Sequence, residues 1–169
     1  PVTCVAVIVG GTMGAGIAVA ALDAGLPVVM VERDDEAIAR GVAWRGHKTT
    51  KARVLWIAAE GQEDMRKRVH GYCLAEGIDP SELEIMFISD APNLRELTDV
   101  KALVKQIKKK GEFDLIVIDT LAQVMPGGNE NSGEDMGMVM GHCKEITRLT
   151  GAMVAPVHHS GKDESRGAR

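Results

Sequence analysis

The sequence predicts an α/β fold, a three-layer and doubly wound parallel sheet of about six strands with helices on both faces. Short apolar runs rich in β-branched residues alternate with longer amphipathic stretches. Such alternation is typical of parallel strands joined by right-handed helical crossovers. Hydrophobic residues make up 45% of the chain and aromatic residues only 3%, so aliphatic side chains must fill the interior, which favours buried parallel strands.

The predicted strands are six apolar runs at Cys4–Val9, Val28–Val31, Val54–Ala58, Ile85–Ile88, Leu115–Ile118 and Met153–Val157. The stretches between them predict helices at Met13–Ala24, Asp35–Val42, Glu63–Glu76, Val100–Lys109 and Asp135–Leu149. Glycine and proline mark helix ends because glycine accepts the left-handed turn and proline cannot continue a helix. The turn-rich segment 126–133 is predicted to be a mobile loop beyond a strand that ends at Asp119.

A length of 169 residues suits a single domain over 1–169. The net charge of -4 gives no general attraction to polyanions. The one obvious basic cluster contains Lys105, Lys108, Lys109 and Lys110, and we interpret it as a solvated helix end with cations near the negative pole of the helix dipole. A nucleic-acid partner is therefore not expected.

The three cysteines, Cys4, Cys73 and Cys143, are widely spaced and lie among apolar residues. This pattern indicates reduced thiols and a cytoplasmic location rather than a disulfide framework. Since no apolar run approaches the ~20 residues needed to cross a bilayer, we expect a soluble protein with no membrane partner. Adjacent residues at a strand end point to opposite faces, so His158 and His159 are not expected to share a metal, and we predict no metal site.

A glycine-rich loop follows the first predicted strand and leads into a helix of small residues. The loop contains Gly10, Gly11, Thr12, Met13 and Gly14, and Glu32 ends the second strand. Glycines let a backbone approach a pyrophosphate, a helix start offers unpaired N–H groups, and a carboxylate about 20 residues on binds the ribose hydroxyls. These six residues form a candidate dinucleotide site. The alternative is that the glycines only allow tight packing between strand and helix.

The stretch VAVIVGGTMGAGIA, with Glu32-Arg33-Asp34 after it, resembles the NAD-binding Rossmann unit of 3-hydroxyacyl-CoA dehydrogenases. The resemblance implies NAD as a possible cofactor and a dinucleotide as a possible ligand. Val9 stands where that family has its first glycine. If Val9 must adopt the glycine-type turn, the strain weakens binding by about tenfold or more. The alternative is that the strand is one residue longer and Gly10 takes the turn. The catalytic residues of the dehydrogenase have no counterpart, so hydride transfer is not expected.

Polar residues follow three of the later strands. Glu60 comes after Val54–Ala58, Asp119 ends another strand, and His158, His159 and Lys162 follow the last. In an ATPase, an Asp after an apolar strand holds Mg²⁺ and a neighbouring Glu orients the attacking water. Open α/β sheets bind ligands at this edge.

Four segments in order, WRGHKTTKARVLWIAAEGQEDMRKRV, LIVIDTLAQ, GNENSGEDMG and VHHSGKDESRGAR, resemble plasmid replicative helicases of the RecA-like hexameric class. The resemblance covers residues 42–169. It implies that Glu60 matches the catalytic carboxylate and Asp119 the Walker B aspartate, the magnesium ligand. His158, His159 and Lys162 match the segment that reports nucleotide state.

Helicases of this class need a loop of the form GxxxxGK[ST] before the first of these segments. The sequence instead has Val28–Val31 followed by Glu32-Arg33-Asp34-Asp35, whose carboxylates repel a triphosphate. The stretch GVAWRGHKT at 41–49 comes close to the motif, but no strand precedes it, and we interpret it as chance. We therefore predict no catalytic turnover, no required cofactor, and vestigial roles for Glu60, Asp119, His158, His159 and Lys162. In short, the chain is predicted not to be an enzyme.

The simplest origin for this combination is an engineered chimera. A dehydrogenase-like segment 1–41 replaces the lysine-loop strand and helix of a truncated helicase core, 42–169, which lacks the final strands beyond Arg169. The expected strand order is 4-3-5-6-2-1, with an exchange of the last two strands as the alternative. Two other functions stay open, a module that binds NAD(H) or another adenine nucleotide weakly, and a fragment of an ATP-dependent DNA helicase.

Overall fold

The computed structural model describes residues 5–8, 28–31, 39–43, 50–59 and 62–158. Within these ranges the strands are β1 (Val5–Ile8), β2 (Val28–Val31), β3 (Val54–Ala58), β4 (Ile85–Ile88), β5 (Leu115–Asp119) and β6 (Met153–Pro156). The α-helices are α1 (Gln62–Glu76), α2 (Leu97–Lys110) and α3 (Gly133–Thr150). The predicted helix Met13–Ala24 lies outside the described residues, and only the end of Asp35–Val42 falls within them.

A four-stranded parallel sheet in the order β4-β3-β5-β6 forms the centre of the fold. All five residues of β3 and the first four of β5 are buried, since helices cover both faces of the sheet. The prediction of an α/β fold with parallel strands is confirmed. The alternation of apolar runs and helices was sufficient for it, because parallel neighbours need a crossover that a helix supplies.

The strand count of the central sheet is smaller than predicted. β1 and β2 pair in parallel as a sheet of their own, with Val5 opposite Val28. Cα atoms of β1 come within 8 Å of β6, and β1 approaches β6 more extensively than β2 does. The arrangement therefore resembles the alternative with the last two strands exchanged. The sequence could not decide this, because short apolar runs carry no information about their neighbours in a sheet.

The helix ends follow the expected chemistry. Ser132 caps α3, its hydroxyl accepting a hydrogen bond from the Asp135 N–H (3.3 Å). Gly151 ends α3 in the left-handed conformation, with φ 79°, and its N–H donates to the carbonyl of Thr147 (2.8 Å). α2 begins three residues before its predicted start, at Leu97. Its first turn lacks the apolar periodicity from which the prediction was made.

The core has two layers, one on each face of the sheet. On one face, α2 and α3 cover a cluster that includes Leu55, Ile57, Ile116 and Ile118. On the other face, α1 contributes Cys73 to a cluster with Val54, Trp56, Ala58, Leu115 and Val117. Successive residues of β3 and β5 therefore point to opposite layers, as a pleated strand requires. The two layers hold the strands rigidly and position the residues at their carboxyl ends.

Candidate functional site

Three strands end side by side at one edge of the sheet. β5 ends at Asp119, β3 at Ala58 and β6 at Pro156. Ala58 is paired in register with Asp119, and Pro156 with Ile118. Parallel sheets bind ligands at the carboxyl ends of their strands. This edge is therefore the candidate site.

Val157 extends the pairing of β6 beyond the last strand residue. Its N–H donates to the carbonyl oxygen of Ile118 (2.8 Å), and its own carbonyl accepts from the N–H of Leu121 (2.7 Å). These two bonds lie on either side of half-buried Asp119 along the chain. His158, the next residue, is consequently held near the end of β5 by main-chain hydrogen bonds.

The structure brings Asp119 and His158 to the same edge, as the sequence predicts for residues after parallel strands. Glu60 follows the β3 residue that pairs with Asp119 by two positions, but it lies outside the described residues. So do the other predicted site residues, namely His159, Lys162, Gly10, Gly11, Thr12, Met13, Gly14 and Glu32. Their roles stay predictions.

Glu130, in the loop between β5 and α3, also reaches this edge. Its Oε2 lies 2.7 Å from Nε2 of His158, and the two side chains are 33% and 43% exposed. The contact is a hydrogen bond when the imidazole is neutral with its proton on Nε2, and an ion pair when it is protonated. Sequence reasoning missed Glu130. The signal was its place in the segment GNENSGEDMG, but nothing in the pattern gave its distance from His158.

Arg95 and Asp135 anchor the other side of the same loop. The Arg95 guanidinium donates to Asp135 Oδ1 (3.0 Å) and to the carbonyl of Pro126 (3.4 Å). Asp135 Oδ2 accepts from the N–H of Asn129 (2.9 Å), whose side chain accepts from the N–H of Asn131 (2.9 Å). The loop was predicted to be mobile, yet it is tied to its surroundings by side chains distant in sequence. Turn-rich composition reports backbone shape but not such contacts.

Gly128 lets the loop pack closely against its own base. A Cβ atom at this position would lie 2.9 Å from Met125 Cε, 3.1 Å from the Met125 carbonyl oxygen and 3.1 Å from Arg95 Cδ. Met125 is buried in the core layer of α2 and α3. The glycine thus allows the loop to pack against this core layer.

The carboxylate of Asp119 fits a divalent cation in part, because Mg²⁺ prefers one or two carboxylates together with phosphate oxygens. Across the described ranges, no group of three or more His, Cys, Asp or Glu side chains could hold a metal ion. Of the helices in those ranges, none is both long and apolar enough to span a bilayer.

Residues 36–165, about three quarters of the chain, match a family model, AAA_25, described as an AAA domain. No curated protein matches the chain. The family match contradicts the prediction that the chain is not an enzyme, because domains of this type bind nucleotides and are typically ATPases. That prediction relied on the missing loop motif and on the missing catalytic residues of the dehydrogenase, whereas the family match covers the segments around Asp119 and His158 together.

Proposed function

Because the chain belongs to the AAA_25 family of AAA domains, we propose that it is a RecA-like ATPase domain whose nucleotide site lies at the carboxyl edge of the sheet. One observation carries the proposal. Asp119 ends β5 between β3 and β6, and Val157 is hydrogen-bonded to Ile118, just before Asp119, and to Leu121, two residues after it. The main chain around Asp119 is thus held at the edge where an α/β sheet receives phosphates.

In this proposal Asp119 holds the magnesium ion of a bound Mg²⁺–nucleotide, directly or through water. When bound, Mg²⁺ would supply positive charge for the phosphate oxygens, and Asp119 is the residue that would hold it. Glu60 orients the attacking water, which its position two residues after Ala58 supports. His158 and its partner Glu130 lie at the same edge and sense whether the terminal phosphate is present.

The glycine-rich stretch Gly10–Gly14 is the proposed contact for the phosphates. It begins two residues after Ile8, the last residue of β1. β1 is the strand of the N-terminal pair that approaches β6 of the central sheet more extensively. Backbone N–H groups of such a loop cradle phosphate without a lysine, but more weakly.

ATP hydrolysis with magnesium tests the proposal. We expect the Asp119→Asn variant to lose at least tenfold in steady-state rate, because the amide cannot neutralise the cation. Asp90→Asn is the matched control, since Asp90 is exposed and follows edge strand β4. Equal hydrolysis rates in the two variants and the parent chain, with unchanged circular dichroism, would show that Asp119 takes no part in ATP hydrolysis.

A second candidate is a site for NAD(H) in the N-terminal pair. Its support is the parallel register of β1 and β2, Val5 opposite Val28, with the glycine-rich stretch in the connection between them. Titration of NADH fluorescence tests it, with Glu32→Ala expected to weaken binding and Glu36→Ala to leave it unchanged. A signal identical in both variants and the parent would leave the glycines a packing role only.

The division into segments 1–41 and 42–169, and an engineered origin for it, stay predictions. The family match begins at residue 36, five residues before the predicted junction near Gly41–Ala43. The separate pairing of β1 with β2 supports treating the two segments as distinct units.

A further inference from the structure

Helix α2 presents four exposed lysines on one side, and we name them the lysine stripe: Lys101, Lys105, Lys108 and Lys109. At 3.6 residues per turn, their positions fall within about 100° of arc. The opposite side of the helix is buried in the core through Val100, Leu103, Val104 and Ile107. The cations therefore face away from the sheet as a continuous row.

No carboxylate within the described ranges pairs with any lysine of the stripe. Asp99, the acid in the first turn of α2, accepts instead from the N–H of Asn93 (3.2 Å). Lys105 is four residues from both Lys101 and Lys109, a spacing at which like charges repel. The arrangement thus costs the isolated helix stability rather than adding to it.

The helix dipole explains only part of this row. A cation near the end of a helix is stabilised, but the effect falls off within the last turn. Lys108 and Lys109 lie in that turn, whereas Lys101 and Lys105 lie earlier. Interpretation of the cluster as a solvated helix end therefore leaves Lys101 and Lys105 unexplained.

The end of α2 lies at the amino edge of the sheet. Arg53, which directly precedes β3, donates to the carbonyls of Lys110 (3.3 Å) and Glu112 (3.1 Å). Its guanidinium also stacks on the ring of Phe113 at 4.9 Å. This edge is opposite the one that carries Asp119. Lys108 and Lys109, in the last turn of α2, therefore lie towards the edge away from Asp119.

We propose that the lysine stripe binds the phosphate backbone of nucleic acid. The Cβ atoms of lysines three and four residues apart on a helix lie about 5–6 Å from one another. At this spacing, successive lysines of the stripe can each contact a successive phosphate of the backbone. α2 has no aromatic residue, so the contact would not stack on bases and would not depend on sequence. The chain as a whole carries -4, so the attraction is confined to this surface.

A lipid surface fits the stripe less well. Basic amphipathic helices bind membranes by inserting their apolar side between the headgroups. In α2 that side is buried against the central sheet and α3, where Leu103 and Ile107 belong to the core. The outward side of α2 therefore offers charged groups but little apolar surface for insertion. Such a surface suits a polyanion in water better than a membrane.

Fluorescence anisotropy of a short labelled oligonucleotide, single-stranded in one arm and duplex in the other, tests the proposal across a salt titration. We expect Lys101→Gln/Lys105→Gln to bind about tenfold more weakly. The slope of log K against log salt should fall by about 1.4 on the single strand and about 1.8 on the duplex, since each lost phosphate contact removes about 0.7 or 0.9. The oligonucleotide that binds with higher affinity shows whether the stripe favours single-stranded or duplex nucleic acid.

The matched control is Lys51→Gln/Lys67→Gln, which changes net charge equally at two exposed lysines outside α2. It should retain the affinity and slope of the parent chain. Equal losses in both variants, unchanged binding in the stripe variant, or preference for vesicles containing phosphatidylserine would each overturn the proposal. Lys108→Gln/Lys109→Gln provides a second variant of the stripe. ATP binding should be the same in all of them, so failure here is separate from failure of the proposed ATPase function.

Discussion

Glu130 Oε2 lies 2.7 Å from Nε2 of His158, and this contact joins the loop after β5 to the end of β6. Both residues come from segments that approach the carboxyl edge, where Asp119 also lies. The contact thus holds the loop and the strand end together at the candidate site.

The Glu130–His158 contact should contribute little to global stability. Both side chains are about one third exposed or more, so solvent and salt screen the interaction, and a coupling energy of about 0.2–1 kcal/mol is expected. A double-mutant cycle with Glu130→Gln and His158→Asn, read by urea unfolding at low and high salt, measures it. A coupling that stays constant as salt rises would contradict this view of the contact.

Arg95→Met should destabilise the fold by about 1–2 kcal/mol. The substitution leaves the Asp135 carboxylate, 20% exposed, without its charged partner, and charge-assisted hydrogen bonds in such surroundings have about this value. Arg148→Met is the control, because its ion pair with Glu145 lies on the exposed surface of α3, and we expect little change from it. Urea unfolding of both variants decides the matter, and equal effects would show that Arg95 does not anchor the loop.

Gly128→Ala should destabilise the fold by about 1–3 kcal/mol through overpacking. The new methyl group would meet the Met125 carbonyl at 3.1 Å, and a main-chain atom cannot move aside as a side chain can. Gly137→Ala should instead stabilise by about 0.5–1 kcal/mol, because Gly137 is exposed within α3 and a Cβ there has open space. Thermal unfolding of the pair should therefore shift in opposite directions, and a common direction would argue against the packing described.

Burial raises the pKa of the Cys143 thiol from its usual 9.0 to about 11. Since the thiolate is the reactive form, alkylation of Cys143 at pH 8 should be slow in the folded chain and fast in urea, as peptide mass spectrometry can show. The folded state holds the thiol proton more tightly, so this stabilising contribution is present below about pH 9 and is lost as pH rises towards 11. Rapid labelling of the folded chain would contradict the burial.

Much of the central fold could be predicted from local patterns. The runs that became β3, β4 and β5 are apolar and β-branched, and the glycines at 77, 111 and 151 end helices, so local chemistry set most of the boundaries. Asp119 and His158 could be placed at one edge because parallel strands share their direction.

The contacts that shape the candidate site could not be predicted in this way. Arg95 and Asp135 are 40 positions apart, and no periodicity links two residues across such a distance. The sequence also left open whether β1 or β2 lies nearer to β6, because the local pattern of an apolar run does not identify its neighbours. The prediction that the chain is not an enzyme was wrong because the residues missing from both active sites were given more weight than the segments around Asp119, which the family match covers.

Val157 is fastened from both directions, by Ile118 and by Leu121. Movement of residue 158 away from the sheet would therefore have to stretch both main-chain hydrogen bonds of Val157. A displacement of the end of β6 is therefore coupled through these two bonds to the peptide units on either side of Asp119.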